Sequence, residues 1–212
     1  MMKNASLAVA AICAFVAGPA WADITIFDVP GAVQPAENVL FNNVPPPTGN
    51  LAFGRTNQTS TSVTFQGTEP LVTPAQGQAR LAAADGGFNN LQFYLTTPQT
   101  GFTEVEFNIN GSAGTSVQLN FTDQFGNITS GTFALVNGQN FFSARATNGE
   151  FITNVAFTTT ADVADLRQVR VGGFGNFGAI PEPATWAMMI GGFAFVGAVA
   201  RRRGAGKLLV VA

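Results

Sequence analysis

Between Asp23 and Gly178, apolar and polar side chains alternate with a period of two, and this alternation restricts the fold more than any other feature of the chain. It is clearest in segments 91–95, 105–109 and 117–121, where every second residue is Leu, Ile, Val or Phe. Successive side chains of a β-strand point to opposite faces, so the pattern predicts strands with one buried face. Asn-Gly and Asp-Gly turns separate such segments. The sequence therefore predicts an all-β fold, a single β-sandwich of jelly-roll type.

We assign the β-sandwich domain to residues 23–173 and a flexible stalk to residues 174–180. A single helical turn is expected at 78–84, and no long amphipathic helix is expected in the domain. The 20 phenylalanines of the chain are the main candidates for the core between the two sheets. A domain of about 150 residues is large enough for such a core without disulfides.

The chain has no histidine and only one cysteine, Cys13. These absences exclude Ser-His-Asp triads, Cys-His dyads and zinc sites built from His and Cys, and no cofactor is predicted. Residues 23–178 contain five arginines and 11 carboxylates, a net charge of −6. Nucleic-acid binding needs a basic patch, so this charge argues against it.

The first 22 residues are predicted to be a secretory signal peptide. They contain a lysine, then an apolar run, then the small-x-small cleavage pattern of Ala20 and Ala22. Cleavage after Ala22 would make Asp23 the new N-terminus. The apolar run is shorter than the ~20 residues that a membrane-spanning helix needs.

A second apolar run, at residues 184–200, has no charged residue and is followed by Arg201, Arg202 and Arg203. As a helix it would be about 26 Å long, close to the ~30 Å of a bilayer core. Trp186 lies near one end, where an aromatic ring favours the headgroup region. The run therefore predicts a single transmembrane helix whose arginines stay in the cytoplasm.

Two prolines restrict the backbone just before this run, so Pro181-Glu182-Pro183 is predicted to be extended and exposed. The order of rigid motif, apolar run and arginine cluster closely resembles the PEP-CTERM sorting domain, which occurs in exopolysaccharide-producing Gram-negative bacteria. The resemblance implies that exosortase, a membrane enzyme of transpeptidase type, recognises the motif and removes the tail. The family usually ends soon after the arginines, whereas this chain continues through residues 204–212. The residues implied in sorting are Pro181, Glu182, Pro183, Trp186, Arg201, Arg202 and Arg203.

Glu104 and Glu106 are the first candidate for chemistry in the domain. Residues two apart on one strand share a face and lie about 7 Å apart, which suits the two carboxylates of an inverting glycosidase. The alternative is that both side chains belong to the solvated face of an amphipathic strand, as the alternation itself predicts.

Asp123, Asp162 and Asp165 are weak candidates for calcium ligands, because their carboxylates are expected on or near loops. The alternative is that they form turns and caps. Tyr94 is the only tyrosine, and both tryptophans lie in the terminal segments, which gives the domain few rings on which a sugar could stack.

The main hypothesis is an exported structural or binding protein of the cell surface or extracellular matrix, not an enzyme. It would pass through an intermediate anchored in the inner membrane before exosortase releases it, and it would lie among exopolysaccharide. Two alternatives remain open: a carbohydrate-active enzyme that uses Glu104 and Glu106, and a calcium-dependent carbohydrate-binding module.

Overall fold

The computed structural model describes residues 23–42, 44–74, 79–178 and 183–205. The predicted signal peptide, Pro181, Glu182 and the end of the tail from residue 206 lie outside these ranges. So does residue 78, the start of the predicted helical turn.

The described residues form strands from Ile24 to Asn176 and one helix after them. The strands are β1 (Ile24–Phe27), β2 (Glu37–Leu40), β3 (Leu51–Thr56), β4 (Ser62–Gly67), β5 (Leu71–Val72), β6 (Arg80–Ala83), β7 (Phe88–Leu95), β8 (Thr100–Gly101), β9 (Glu104–Gly111), β10 (Ser116–Asp123), β11 (Ile128–Ala134), β12 (Gly138–Ala146), β13 (Ile152–Val163), β14 (Asp165–Gly172) and β15 (Gly175–Asn176). The prediction of an all-β domain is confirmed.

Most strands belong to one antiparallel sheet in the order β1-β12-β9-β14-β2-β3-β4-β7-β13-β10-β11. Strand β2 pairs with β14 on one side and with β3 on the other, so the sheet continues from one layer into the other through β2. We call β1, β12, β9 and β14 layer A, and β3, β4, β7, β13, β10 and β11 layer B. The predicted sandwich is corrected in this respect: its two layers are one continuous sheet, because β2 hydrogen-bonds to both.

The core between the layers contains phenylalanines packed among Val, Leu, Ile and Ala side chains. Phe93 of layer B lies 5.4 Å from Phe65 in a stacked geometry and 5.7 Å from Phe107 of layer A in an edge-to-face geometry, measured between ring centroids. The prediction that phenylalanines are the main core residues is confirmed in part, because aliphatic residues outnumber them in the buried cluster. The fully buried ones are Phe65, Phe88, Phe93, Phe102, Phe107, Phe121 and Phe157.

Two short segments differ from the sequence-based expectation. Residues 80–83, expected as a helical turn, form β6, which pairs with β14 and β5. Residues 174–180, expected as a stalk, begin with β15, which pairs with β8. In both cases hydrogen bonds to a distant strand stabilise an extended backbone that the local sequence does not specify.

The helix α1 (Pro183–Ala205) begins at a proline, a residue that suits the first helical position because it needs no N–H partner there. Within the described part of the chain, no helix combines the length and the apolar character that crossing a membrane requires. The predicted transmembrane helix at 184–200 and the membrane-anchored intermediate are therefore not supported. Its 17 uncharged residues correspond to about 26 Å of helix, less than the ~30 Å hydrocarbon core.

Candidate functional site

The strand alternation places Glu104 and Glu106 on the outer face of layer A, and each carboxylate faces an arginine. Glu104 Oε1 lies 3.1 Å from Arg145 Nη2 at an exposed position. Glu106 Oε1 lies 3.8 Å from Arg170 Nη1, and its Oε2 accepts a hydrogen bond of 2.9 Å from the backbone N–H of Gly31. Glu106 is buried under the loop that carries Gly31. The pair therefore has the residue types of a glycosidase site, but its oxygens are bound to arginine and backbone groups.

The three aspartates considered for calcium have separate surroundings. The Asp123 carboxylate organises the turn between β10 and β11, because it accepts hydrogen bonds from the backbone N–H groups of Phe125 and Asn127, both at 2.8 Å. Asp165 is fully buried and pairs with Arg80 and Arg167. Oxygens that already accept N–H donors are poor ligands for a cation.

Asp162 lies instead near two other acids, Glu69 and Asp85. Burial raises the pKa of Glu69, and the negative charges of Asp85 and Asp162 add to this effect. Sequence reasoning did not group these three acids, because they come from distant segments of the chain. In residues 23–42, 44–74, 79–178 and 183–205, no three or more His, Cys, Asp or Glu side chains are positioned to hold a metal ion.

A buried glutamate on β2, Glu37, fixes the turn between β3 and β4. Its Oε2 accepts hydrogen bonds from the backbone N–H of Thr59 at 2.9 Å, from the Thr59 hydroxyl at 3.0 Å and from the backbone N–H of Gln58 at 3.2 Å. Desolvation by burial alone would raise the pKa of Glu37, but bonds from Thr59, Thr56 and Gln58 outweigh it, so the pKa is lowered. This contact has no local signal in the sequence, because the partners lie about twenty residues away.

We expect a Glu37→Gln variant to lose about 2 kcal/mol of unfolding free energy at pH 7, since hydrogen bonds to a charged group are each worth about 1.5–3 kcal/mol. A carboxylate with a lowered pKa in the folded state stabilises above its unfolded pKa of about 4.3, and this contribution disappears as the pH falls through the folded pKa. The difference between wild type and variant should therefore shrink below about pH 4. Urea denaturation at several pH values measures it, with Asp28→Asn at an exposed position as control. A difference that stays constant down to pH 2 would contradict the assignment.

The sorting segment has a different character from the domain. Helix α1 exposes large apolar side chains, among them Met188, Ile190, Phe193 and Phe195. Arg201 is also exposed. An apolar surface of this kind on a helix indicates an interaction with another molecule rather than a role in the fold.

Comparison with known proteins gives one clear match. The pattern described as the PEP-CTERM protein-sorting motif matches residues 179–203. No curated protein matches the chain. Among solved structures, the enzymatically active domain of tailspike protein 4 from bacteriophage CBA120 is similar at 15% identity and a TM-score of 0.27. That match covers 71% of this chain but only 19% of the tailspike chain, and with so low a TM-score it supports no conclusion. The chain thus carries a PEP-CTERM protein-sorting motif at residues 179–203.

Proposed function

We propose that this protein is an exported, non-enzymatic component of the cell surface or extracellular matrix, associated with exopolysaccharide and released from its tail by exosortase. The observation that carries the proposal is the sorting motif at residues 179–203. Such a motif directs the protein to its destination, and its partner is the enzyme that recognises it. The β-domain is then the part of the protein that reaches the surface.

The packing of the domain supports removal of the tail. Among the described residues, all members of the buried core lie between Ile24 and Val171, and none belongs to α1. Loss of α1 would therefore leave the core intact and would remove a large exposed apolar surface. The domain before the tail ends with the pairing of β15 and β8, which holds the chain just ahead of the motif.

A non-enzymatic role agrees with the state of the two glutamates that were considered for catalysis. A glycosidase needs one carboxylic acid that donates a proton and one carboxylate that activates water or attacks the sugar. Here Glu104 pairs with Arg145, and Glu106 pairs with Arg170 beneath a loop. Both carboxylates form ion pairs on the outer face of layer A.

The proposal is tested by the mass of the protein that reaches the cell surface. In cells that contain exosortase, we expect the surface and medium fractions to hold a product that lacks Trp186 to Arg203. A Glu182→Ala variant, which alters the motif, should accumulate with its tail attached. Asp162→Ala removes the same charge at an exposed position of the β-domain and should be processed normally. A surface-located wild-type product that still carries Trp186 to Arg203 would refute exosortase processing.

A further inference from the structure

Across β4, β7, β13, β10 and β11, the outer face of layer B differs from the rest of the domain in its lack of charge, and exposed Arg55 lies beside this area on β3. Four of the five arginines of the domain, Arg80, Arg145, Arg167 and Arg170, form ion pairs with carboxylates of β9 and β14. In contrast, the outward-facing side chains of β4, β7, β10, β11 and of β13 as far as Thr160 are all uncharged. Exposed sheet faces normally carry charged residues, which keep the protein soluble and prevent aggregation. A domain with a net charge of −6 therefore keeps a broad area of this face, five strands wide, free of charged side chains.

Amide and hydroxyl groups form regular rows on this face. In one row, Gln66 pairs with Gln92, Ala156 lies between Gln92 and Asn120, and Asn120 pairs with Ser130. The row crosses five strands, about 19 Å at the usual strand spacing. A parallel row consists of Asn90, Thr158, Gln118 and Thr132.

Hydrogen bonds between neighbouring side chains fix the orientation of several of these groups. Gln92 Nε2 donates to Gln66 Oε1 at 3.0 Å, and Asn154 Nδ2 donates to Gln92 Oε1 at 3.2 Å. Ser130 Oγ donates to Asn120 Oδ1 at 2.7 Å. An amide has two N–H donors and two acceptor lone pairs, so Gln92 retains a donor and an acceptor after these bonds. Groups that are already oriented lose less conformational entropy when they bind a partner.

Two aromatic rings flank the end of this face. Phe53 and Tyr94 are the neighbours of Thr64 in adjacent strands, and Thr64 is buried although it points outward. The rings are therefore two strand spacings apart, about 9.6 Å, with only a threonine between them. Ala156, in the centre of the amide row, has a shorter side chain than its neighbours Gln92 and Asn120.

We propose that the outer face of layer B binds a neutral polysaccharide. Sugar hydroxyls act as both donors and acceptors, which matches a surface of amides and hydroxyls, and the apolar face of a sugar ring can stack on Tyr94 or Phe53. The charge argues for a neutral rather than an anionic polymer, since the domain as a whole is negative and only Arg55 of β3 places a cation beside the uncharged area of β4, β7, β13, β10 and β11. This inference rests on the proposed export, because only an exported domain meets extracellular polymers.

Affinity electrophoresis of the full chain in mild non-ionic detergent tests the proposal. Native gels contain hydroxyethylcellulose or galactomannan as neutral polymers, or alginate as an anionic one. We expect retardation by at least one neutral polymer and none by alginate. Tyr94→Ala should weaken binding about tenfold through the loss of ring stacking.

Substitution of two exposed glutamines, one on each layer, distinguishes binding at layer B from binding at layer A. Neither substitution is expected to disturb the fold. Gln118→Leu, on the outer face of layer B, should weaken binding roughly three- to tenfold, the value of one hydrogen bond. Gln139→Leu, on β12 of layer A, should leave binding unchanged. Absence of retardation by both neutral polymers would overturn the inference while leaving the sorting result unaffected. Equal binding of all variants, preferential binding of alginate, or self-association through this face would overturn it as well.

Discussion

Replacement of Phe93 by alanine is expected to lower the free energy of unfolding by about 3–5 kcal/mol. Phe93 is fully buried and contacts Phe65 within layer B and Phe107 across the core. Truncation therefore removes apolar burial and leaves a cavity between the two layers. The hydrogen-bonded strands around it restrict how far the backbone can move to fill it.

Guanidinium denaturation followed by far-ultraviolet circular dichroism measures the Phe93→Ala effect. Phe125→Ala is the matched control, because this ring is 53% exposed in the turn after β10. Its loss should change stability by less than about 0.5 kcal/mol. A loss of under 1 kcal/mol for Phe93→Ala would mean that the layers do not pack through this ring.

The alternation of side chains was sufficient to predict the strands that supply Phe93 and Phe107. Segments 91–95, 105–109 and 117–121 all lie within strands, namely β7, β9 and β10. In these segments one face is buried and the other polar, so the period of two is visible in the sequence. The continuity of the sheet was not visible, because it depends on the four-residue strand β2, which pairs with both β14 and β3.

Strand β3 shows why part of the fold has no local signal. It contains Gly54, and glycine weakens a strand prediction. In the structure, a Cβ atom at this position would lie only 2.5 Å from Val39 Cγ1 and 3.2 Å from the Phe65 ring. The glycine is needed because side chains from β2 and β4 occupy the space. Such a requirement arises only after distant strands have met.

The candidate sites likewise combine features that the local sequence predicts with features that arise only when distant strands meet. The shared face of Glu104 and Glu106 follows from their spacing, but their arginine partners come from β12 and β14. The neutral face of layer B is also an assembled feature, because its rows combine residues from five strands. The sorting motif could be identified directly, since its residues are contiguous and act in sequence order.

The second large effect is expected for Asp165→Asn, which should cost about 3 kcal/mol of unfolding free energy. Asp165 is fully buried, and its carboxylate accepts hydrogen bonds from Arg80 Nε at 2.8 Å and Arg167 Nη2 at 2.8 Å. The hydrogen bond from Arg167 to Asp165 raises the pKa of Arg167 above its ordinary value, so this arginine stays charged. The variant therefore leaves two cations around a neutral amide. Breaking a buried ion pair costs about 3–5 kcal/mol. We expect a loss at the lower end of this range, because about a third of the side-chain surface of each arginine is exposed to solvent.

Thermal and guanidinium denaturation of two further variants distinguish a buried charge effect from simple loss of a contact. Glu104→Gln breaks an exposed pair with Arg145 and should cost less than about 1 kcal/mol. Adding Arg80→Met to Asp165→Asn should recover part of the loss, because it removes one cation that no longer has a counter-charge. If Asp165→Asn were no more destabilising than Glu104→Gln, the buried carboxylate would not hold β6 and β14 together, and hydrogen bonds of the β6–β14 ladder alone would have to do so.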